Sequence, residues 1–74
     1  MKTEITTTAK LVKALADRRK KLEISQTELA QLCNLSTNGI SKFESNGGER
    51  EIKLSTLLKL GQVLGFKIVL EFED

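Results

Sequence analysis

The sequence predicts a mainly α domain of four helices, followed by one C-terminal β-strand that finds its partner in a second copy of the chain. Three observations carry this. Residues 25–43, SQTELAQLCNLSTNGISKF, read as two short helices joined by a tight turn. Residues 54–65 set Leu54, Leu57, Leu58, Leu60 and Leu64 at three- and four-residue steps and close on Gly65, a residue suited to the left-handed end of a helix. From Phe66 the period drops to two: Phe66, Ile68, Leu70 and Phe72 alternate with Lys67, Val69, Glu71 and Glu73. The length of 74 residues suits one small domain, and such a domain gains from association because it buries little surface alone.

Residues 1–7 read as a flexible arm. Thr8 is the expected cap of a first helix over about Ala9 to Leu22, with Leu11, Val12, Leu15 and Leu22 inward. Ser25 and Glu28 have the spacing of a capping box, opening a second helix over Gln26 to Cys33 with Leu29, Ala30, Leu32 and Cys33 as its apolar stripe. Asn34 suits the left-handed exit and Leu35 returns the chain to the core. Ser36 caps a third helix over Thr37 to Glu44, which turns Ile40 and Phe43 inward and Thr37, Asn38, Ser41 and Lys42 outward. This is a helix-turn-helix with a polar, base-sized outer face. Asn46-Gly47-Gly48 marks a turn and Glu49-Arg50-Glu51 a solvated charge cluster. The fourth helix starts near Ser55. Gly61 inside it costs about 1 kcal/mol relative to alanine, which a close helix crossing would explain.

No second strand is visible in the chain. A lone strand leaves backbone groups unpaired and its apolar face wet, so the partner strand must come from outside, most simply across a two-fold axis. The competing readings are an extended fourth helix or a disordered tail, and the β-branched and aromatic content argues against both.

Charge is unevenly spread. Through Leu22, seven basic residues face two acidic ones, a balance of +5, whereas from Phe66 onward the balance is −2. Arg18 to Lys21 fit a solvated last helical turn, favoured by the helix dipole. Beside a helix-turn-helix they also fit contact with phosphates.

At this point the residues resemble a known family. Gln26-Thr27-Glu28-Leu29-Ala30, Leu35-Ser36 and Ile40-Ser41-Lys42-Phe43-Glu44 are similar to the Xre/Cro, lambda-repressor-like helix-turn-helix family over roughly Ala9 to Gly65. The short length and the terminal FKIVLEF resemble HipB-like antitoxins, small dimeric repressors that partner a HipA-like serine/threonine kinase toxin. The resemblance implies a lambda-repressor-like domain over residues 8–65, and dimerisation through Phe66, Ile68, Leu70 and Phe72 in residues 66–74. It implies base reading by Thr37, Asn38, Ser41 and Lys42. Asn38 is the best direct reader, because an amide pairs with adenine at both N6 and N7. Thr37 suits a hydrogen bond or a thymine methyl, and Lys42 suits either guanine or a phosphate. Gly39 departs from the family, where a larger polar residue is common; it offers no side chain to read with and allows close backbone approach. Gln26, Ser36, Ser45 and Asn46 fall at phosphate-contacting positions, and the amides opening the second helix favour an anion. Lys10, Arg18 and Lys20 join them as backbone candidates. Arg19 and Glu44 fall where relatives hold a partly buried ion pair, a structural role.

The implied function is a DNA-binding repressor that reads a pseudo-palindromic operator as a homodimer and neutralises a toxin. A stand-alone Xre-type regulator without a toxin is the alternative. An enzyme is a poor reading. The chain has no His, no Gly-rich phosphate loop followed by Lys-Ser/Thr and no metal-ligand spacing, so no cofactor or metal is expected. Cys33 ends an apolar stripe and suits a small core residue better than a nucleophile. With one Cys, no signal segment, no long apolar run and no aromatic membrane anchors, the expectation is a cytoplasmic chain that does not bind membranes.

Overall fold

In a computed structural model, which describes residues 1–46 and 51–74, the chain forms four helices: α1 (Thr8–Lys21), α2 (Gln26–Leu32), α3 (Thr37–Ser45) and α4 (Leu54–Leu64). The core lies where all four meet. Val12 and Leu15 of α1, Leu29 and Ala30 of α2, Cys33, Ile40 of α3 and Leu60 and Leu64 of α4 are buried. Leu11, Leu35, Phe43, Leu57 and Phe66 pack around them, half-buried.

Local chemistry sets each boundary. Thr7, rather than Thr8, caps α1: its backbone is extended and its Oγ1 accepts the Lys10 N–H at 3.1 Å. The Thr6-Thr7-Thr8 run offers three hydroxyls of one kind, so residue type alone does not select among them. Ser25 and Glu28 form the reciprocal capping box, with Ser25 Oγ accepting the Glu28 N–H at 3.0 Å and Glu28 Oε1 accepting the Ser25 N–H at 3.1 Å. Those hydrogen bonds hold the Glu28 carboxyl below its ordinary pKa. Asn34 is left-handed (φ 56) and ends α2, with the Asn34 N–H donating to the Gln31 carbonyl and the Leu35 N–H to that of Ala30. Glu23 does the same for α1 (φ 59), an ending that nothing in its residue type announces. Ser36 Oγ accepts the Gly39 N–H at 2.9 Å and opens α3. Gly65 (φ 78) closes α4.

Two expected apolar-face residues need correction. Leu32 is 64% exposed and Leu22 is 39% exposed, because a helix in so small a domain buries one narrow stripe. Leu54 and Leu58 also face out, at the opening and middle of α4. Gly61 is buried, and what stands nearest to it is Phe66. A Cβ there would meet the Phe66 carbonyl oxygen at 2.8 Å and the Phe66 ring at 3.2 Å. The chain therefore folds back over Gly61 after the left-handed Gly65, and the Phe66 N–H donates to the Gly61 carbonyl at 3.0 Å.

Residues 66–74 continue beyond α4, and no strand is present among the described residues. Phe66 is anchored on the core, whereas Ile68, Val69, Leu70 and Phe72 are exposed. The turn expected at Asn46-Gly47-Gly48 and the charge cluster around Glu49 and Arg50 lie at or beyond the edge of the described residues. No helix among them is long and apolar enough to cross a membrane.

Candidate nucleic-acid interface

The outer face of α3 is built from its cap outward. Ser36 fixes the first turn, Ile40 anchors the helix in the core, and Phe43 packs beside it. Thr37, Asn38 and Lys42 are then exposed on the other side, while Ser41 is half-buried at the edge of that face. Thr37, Asn38 and Lys42 lie within about 140° of the helix circumference over about 7.5 Å of its axis, a face small enough to enter the major groove of DNA. A Cβ at Gly39 would come within 3.0 Å of Ser36 Oγ, so the missing side chain keeps the cap unobstructed.

Behind this face, one network ties α1, α2 and α3 together. Arg19 of α1 pairs with Glu44 of α3, Nε donating to Oε2 at 2.7 Å and Nη2 to Oε1 at 2.9 Å. Arg19 Nη1 donates to the Ile24 carbonyl at 2.7 Å. Gln26, the first residue of α2, gives an amide hydrogen to Glu44 Oε1 at 2.9 Å. Burial pushes the Glu44 carboxyl up, but the hydrogen bonds from Arg19 and Gln26 and the charges of Arg19 and Lys20 outweigh it, so its pKa falls below the ordinary value. The same hydrogen bond from its side raises the Arg19 pKa against the cost of burial.

The cationic candidates do not converge on one surface. Lys20 is exposed, and its charge helps to hold the Glu44 pKa down. Arg18, two residues earlier, lies on nearly the opposite side of α1. Its Nε donates to the Leu64 carbonyl at 2.9 Å, so it closes the end of α4 instead of standing free beside α3. Lys10 is an exposed residue near the other end of α1 and donates to Thr6 Oγ1 at 3.0 Å. Ser45 and Asn46 stand at the C-terminal end of α3, exposed and half-buried respectively. Two features were out of reach of the sequence: the link from Gln26 to Glu44, eighteen positions apart, and the Arg18 contact with α4. Neither leaves a pattern along the chain.

Burial raises the pKa of the Cys33 thiol, which packs as an apolar group in the core. Among the described residues no cluster of His, Cys, Asp and Glu is arranged to hold a metal.

The helix-turn-helix family model matches residues 15–70. The chain belongs to the Xre-type helix-turn-helix family. Its fold is HipB-like. A chain of the HipA-HipB-O2-O3 complex superposes with a TM-score of 0.81 at 26% identity, covering 99% of this chain and 100% of that one. The HipB-O4 20mer complex gives 0.81 at 26% identity over the same shares. The HipB-O1-O2 complex gives 0.80 at 27% identity, covering 96% of this chain and 100% of that one. No curated protein matches the sequence.

Proposed function

We propose that this helix-turn-helix protein is a sequence-specific DNA-binding repressor that acts as a homodimer, represses its own promoter as an antitoxin, and neutralises a HipA-like kinase toxin. The carrying observation is the outer face of α3: Thr37, Asn38 and Lys42 exposed together on a helix anchored by Ile40, within a HipB-like fold. The solved HipA-HipB-O2-O3 complex supports the toxin partner, since its architecture extends over nearly all of this chain.

In this reading residues 8–65 are the DNA-binding domain, and residues 66–74 supply a strand that pairs across the dimer. Thr37, Asn38, Ser41 and Lys42 face the bases. Lys20, the second amide hydrogen of Gln26, Ser36, Ser45 and Asn46 hold the flanking phosphates. Phosphate contacts set affinity and its fall with salt, whereas α3 sets sequence. A two-fold dimer reads half-sites about 34–36 Å apart, or a multiple of that.

The test uses a duplex selected from a random pool by the full-length protein. Asn38→Ala is expected to weaken binding to that duplex by about 1–3 kcal/mol while leaving random DNA unaffected. Equal losses on both would remove Asn38 from the base-reading set. Retention of a co-expressed HipA-like kinase on the tagged protein tests the antitoxin half, and its absence would leave a stand-alone regulator.

A further inference from the structure

The segment FKIVLEF is a chemical palindrome. Around Val69, Ile68 mirrors Leu70, Lys67 mirrors Glu71 and Phe66 mirrors Phe72. An antiparallel pair of identical strands related by a two-fold axis through one residue sets positions at equal distance on either side of it opposite each other. Hence we infer that two copies of the chain pair antiparallel about an axis through Val69, with Lys67 of each copy opposite Glu71 of the other. This rests on the dimer reading above and adds its register.

The alternatives are chemically poorer. An axis through Leu70 keeps an opposite-charge pair, Lys67 with Glu73, and sets Ile68 against Phe72, but it opposes Phe66 to Asp74 and Val69 to Glu71, so two apolar side chains of each copy face carboxylates. An axis through Ile68 opposes Lys67 to Val69 and leaves Phe72 facing Leu64, which is inside α4. The Val69 register places two aromatic pairs, two aliphatic pairs and two opposite-charge pairs in one ribbon, each with Cβ atoms about 4.5–5.5 Å apart.

The structure makes this register useful to the fold. Phe66, Ile68, Leu70 and Phe72 would share one face and Lys67, Val69 and Glu71 the other. Exposure climbs along the segment, with Phe66 anchored over Gly61, Leu70 at 76% and Phe72 at 84%. In the proposed register the bare Phe72 of one copy falls beside the anchored Phe66 of the other. Each exposed tip thus lands at the edge of the other copy's core. The left-handed Gly65 and the hydrogen bond from Arg18 to the Leu64 carbonyl set the direction in which the segment leaves α4.

The test is a charge swap in the full-length protein, read by sedimentation equilibrium. K67E and E71K each turn two attractive pairs per dimer into two repulsive ones, and each is expected to raise the dimer dissociation constant about tenfold. The double variant K67E/E71K restores both pairs with reversed polarity and is expected to return to within about threefold of wild type. A double variant no tighter than the singles, in a wild type that is dimeric, overturns the register and leaves the dimer standing. A wild type that is monomeric at the same concentrations overturns the dimer reading and the register with it.

Cross-linking gives a second measurement that needs no charge argument. V69C places two thiols across the axis with Cα atoms about 4.5–5.5 Å apart, within disulfide range, and is expected to form a covalent dimer on mild oxidation. L70C places them about 8 Å apart and is expected to stay uncrosslinked. The wild-type chain serves as control, since its Cys33 is buried. Cross-linking of L70C but not V69C refutes the register.

Discussion

Removing the Glu44 carboxylate tests the network behind the outer face of α3 most sharply. In Glu44→Ala, Arg19 keeps its charge in a site where its side chain is 10% exposed, and it loses both hydrogen bonds to the carboxylate. Gln26 loses its acceptor as well. Only the Ile24 carbonyl remains among the acceptors of Arg19. Breaking a buried pair by deleting one partner costs roughly 3–5 kcal/mol, and the surviving Ile24 contact argues for the lower end, about 3 kcal/mol. A domain of this length holds on the order of 4–11 kcal/mol in all. The variant is therefore expected to melt about 12–24 °C lower. Circular dichroism at fixed protein concentration is the assay, because in the proposed dimer stability depends on concentration. Replacing both partners, Arg19→Met with Glu44→Leu, is expected to recover most of the loss, since no charge is then left buried. A loss under about 1 kcal/mol for Glu44→Ala would mean that the pair is effectively solvated, and would refute the reasoning. The pH dependence follows from the same geometry. The folded Glu44 pKa lies below its unfolded value, so the stabilisation is full above the ordinary carboxylate pKa and fades as pH falls through the lower folded one. The stability difference between wild type and Glu44→Gln is expected to shrink over that acidic window, and a difference that grows there would contradict the assignment.

Two further substitutions test the backbone. Gly61→Ala gains about 1 kcal/mol of helix propensity but drives its Cβ to 2.8 Å from the Phe66 carbonyl, a backbone atom that no rotamer change can move. A net destabilisation of about 1 kcal/mol is expected in thermal melts, and a stabilised variant would show that the fold-back is soft. Glu23→Gly relieves a left-handed glutamate at the end of α1 and is expected to raise stability by about 0.5–1 kcal/mol, whereas a lower melting temperature would count against strain at that residue.

Much of the fold was legible because its signals are local. A capping box needs only Ser25 and Glu28, and the left-handed exits at Asn34 and Gly65 are written in residue type. Glu23 adopts the same conformation without any such sign, because tertiary packing of Ile24 and the Arg19 contact at its carbonyl override the cost. Leucine spacing located α4 but not its orientation: Leu54 and Leu58 satisfy the same helical step as Leu60 and Leu64, yet point outward. Spacing identified Thr37, Asn38 and Lys42 as outward residues of α3, since the side opposite Ile40 follows from the helical repeat, but it did not anticipate the half-burial of Ser41. The grouping of basic residues did not survive so well. Arg18 and Lys20 are near neighbours in sequence and lie on nearly opposite sides of α1. The partners that fix Gln26 and Arg18 lie eighteen and forty-six positions away, and no rule of composition or period reaches that far.

In the proposed dimer, exposed apolar groups on α4 and on the tail would connect stability to DNA reading. Leu54, Leu58, Val69, Leu70 and Phe72 are all more than half exposed in the isolated chain. Burying a side chain of that kind is worth about 1.5–3 kcal/mol, so covering even part of this surface is comparable with the whole stability of a domain this small. If the second copy provides that cover, folding, dimerisation and operator binding become linked equilibria. One reading helix engages a single half-site, and the second then binds at the high effective concentration set by the dimer. A change at Lys67 or Glu71 should therefore weaken operator binding at low protein concentration and regain it as concentration rises. A change at Asn38 should weaken it equally at all concentrations, because the dimer is untouched. That contrast separates residues that build the reader from residues that read.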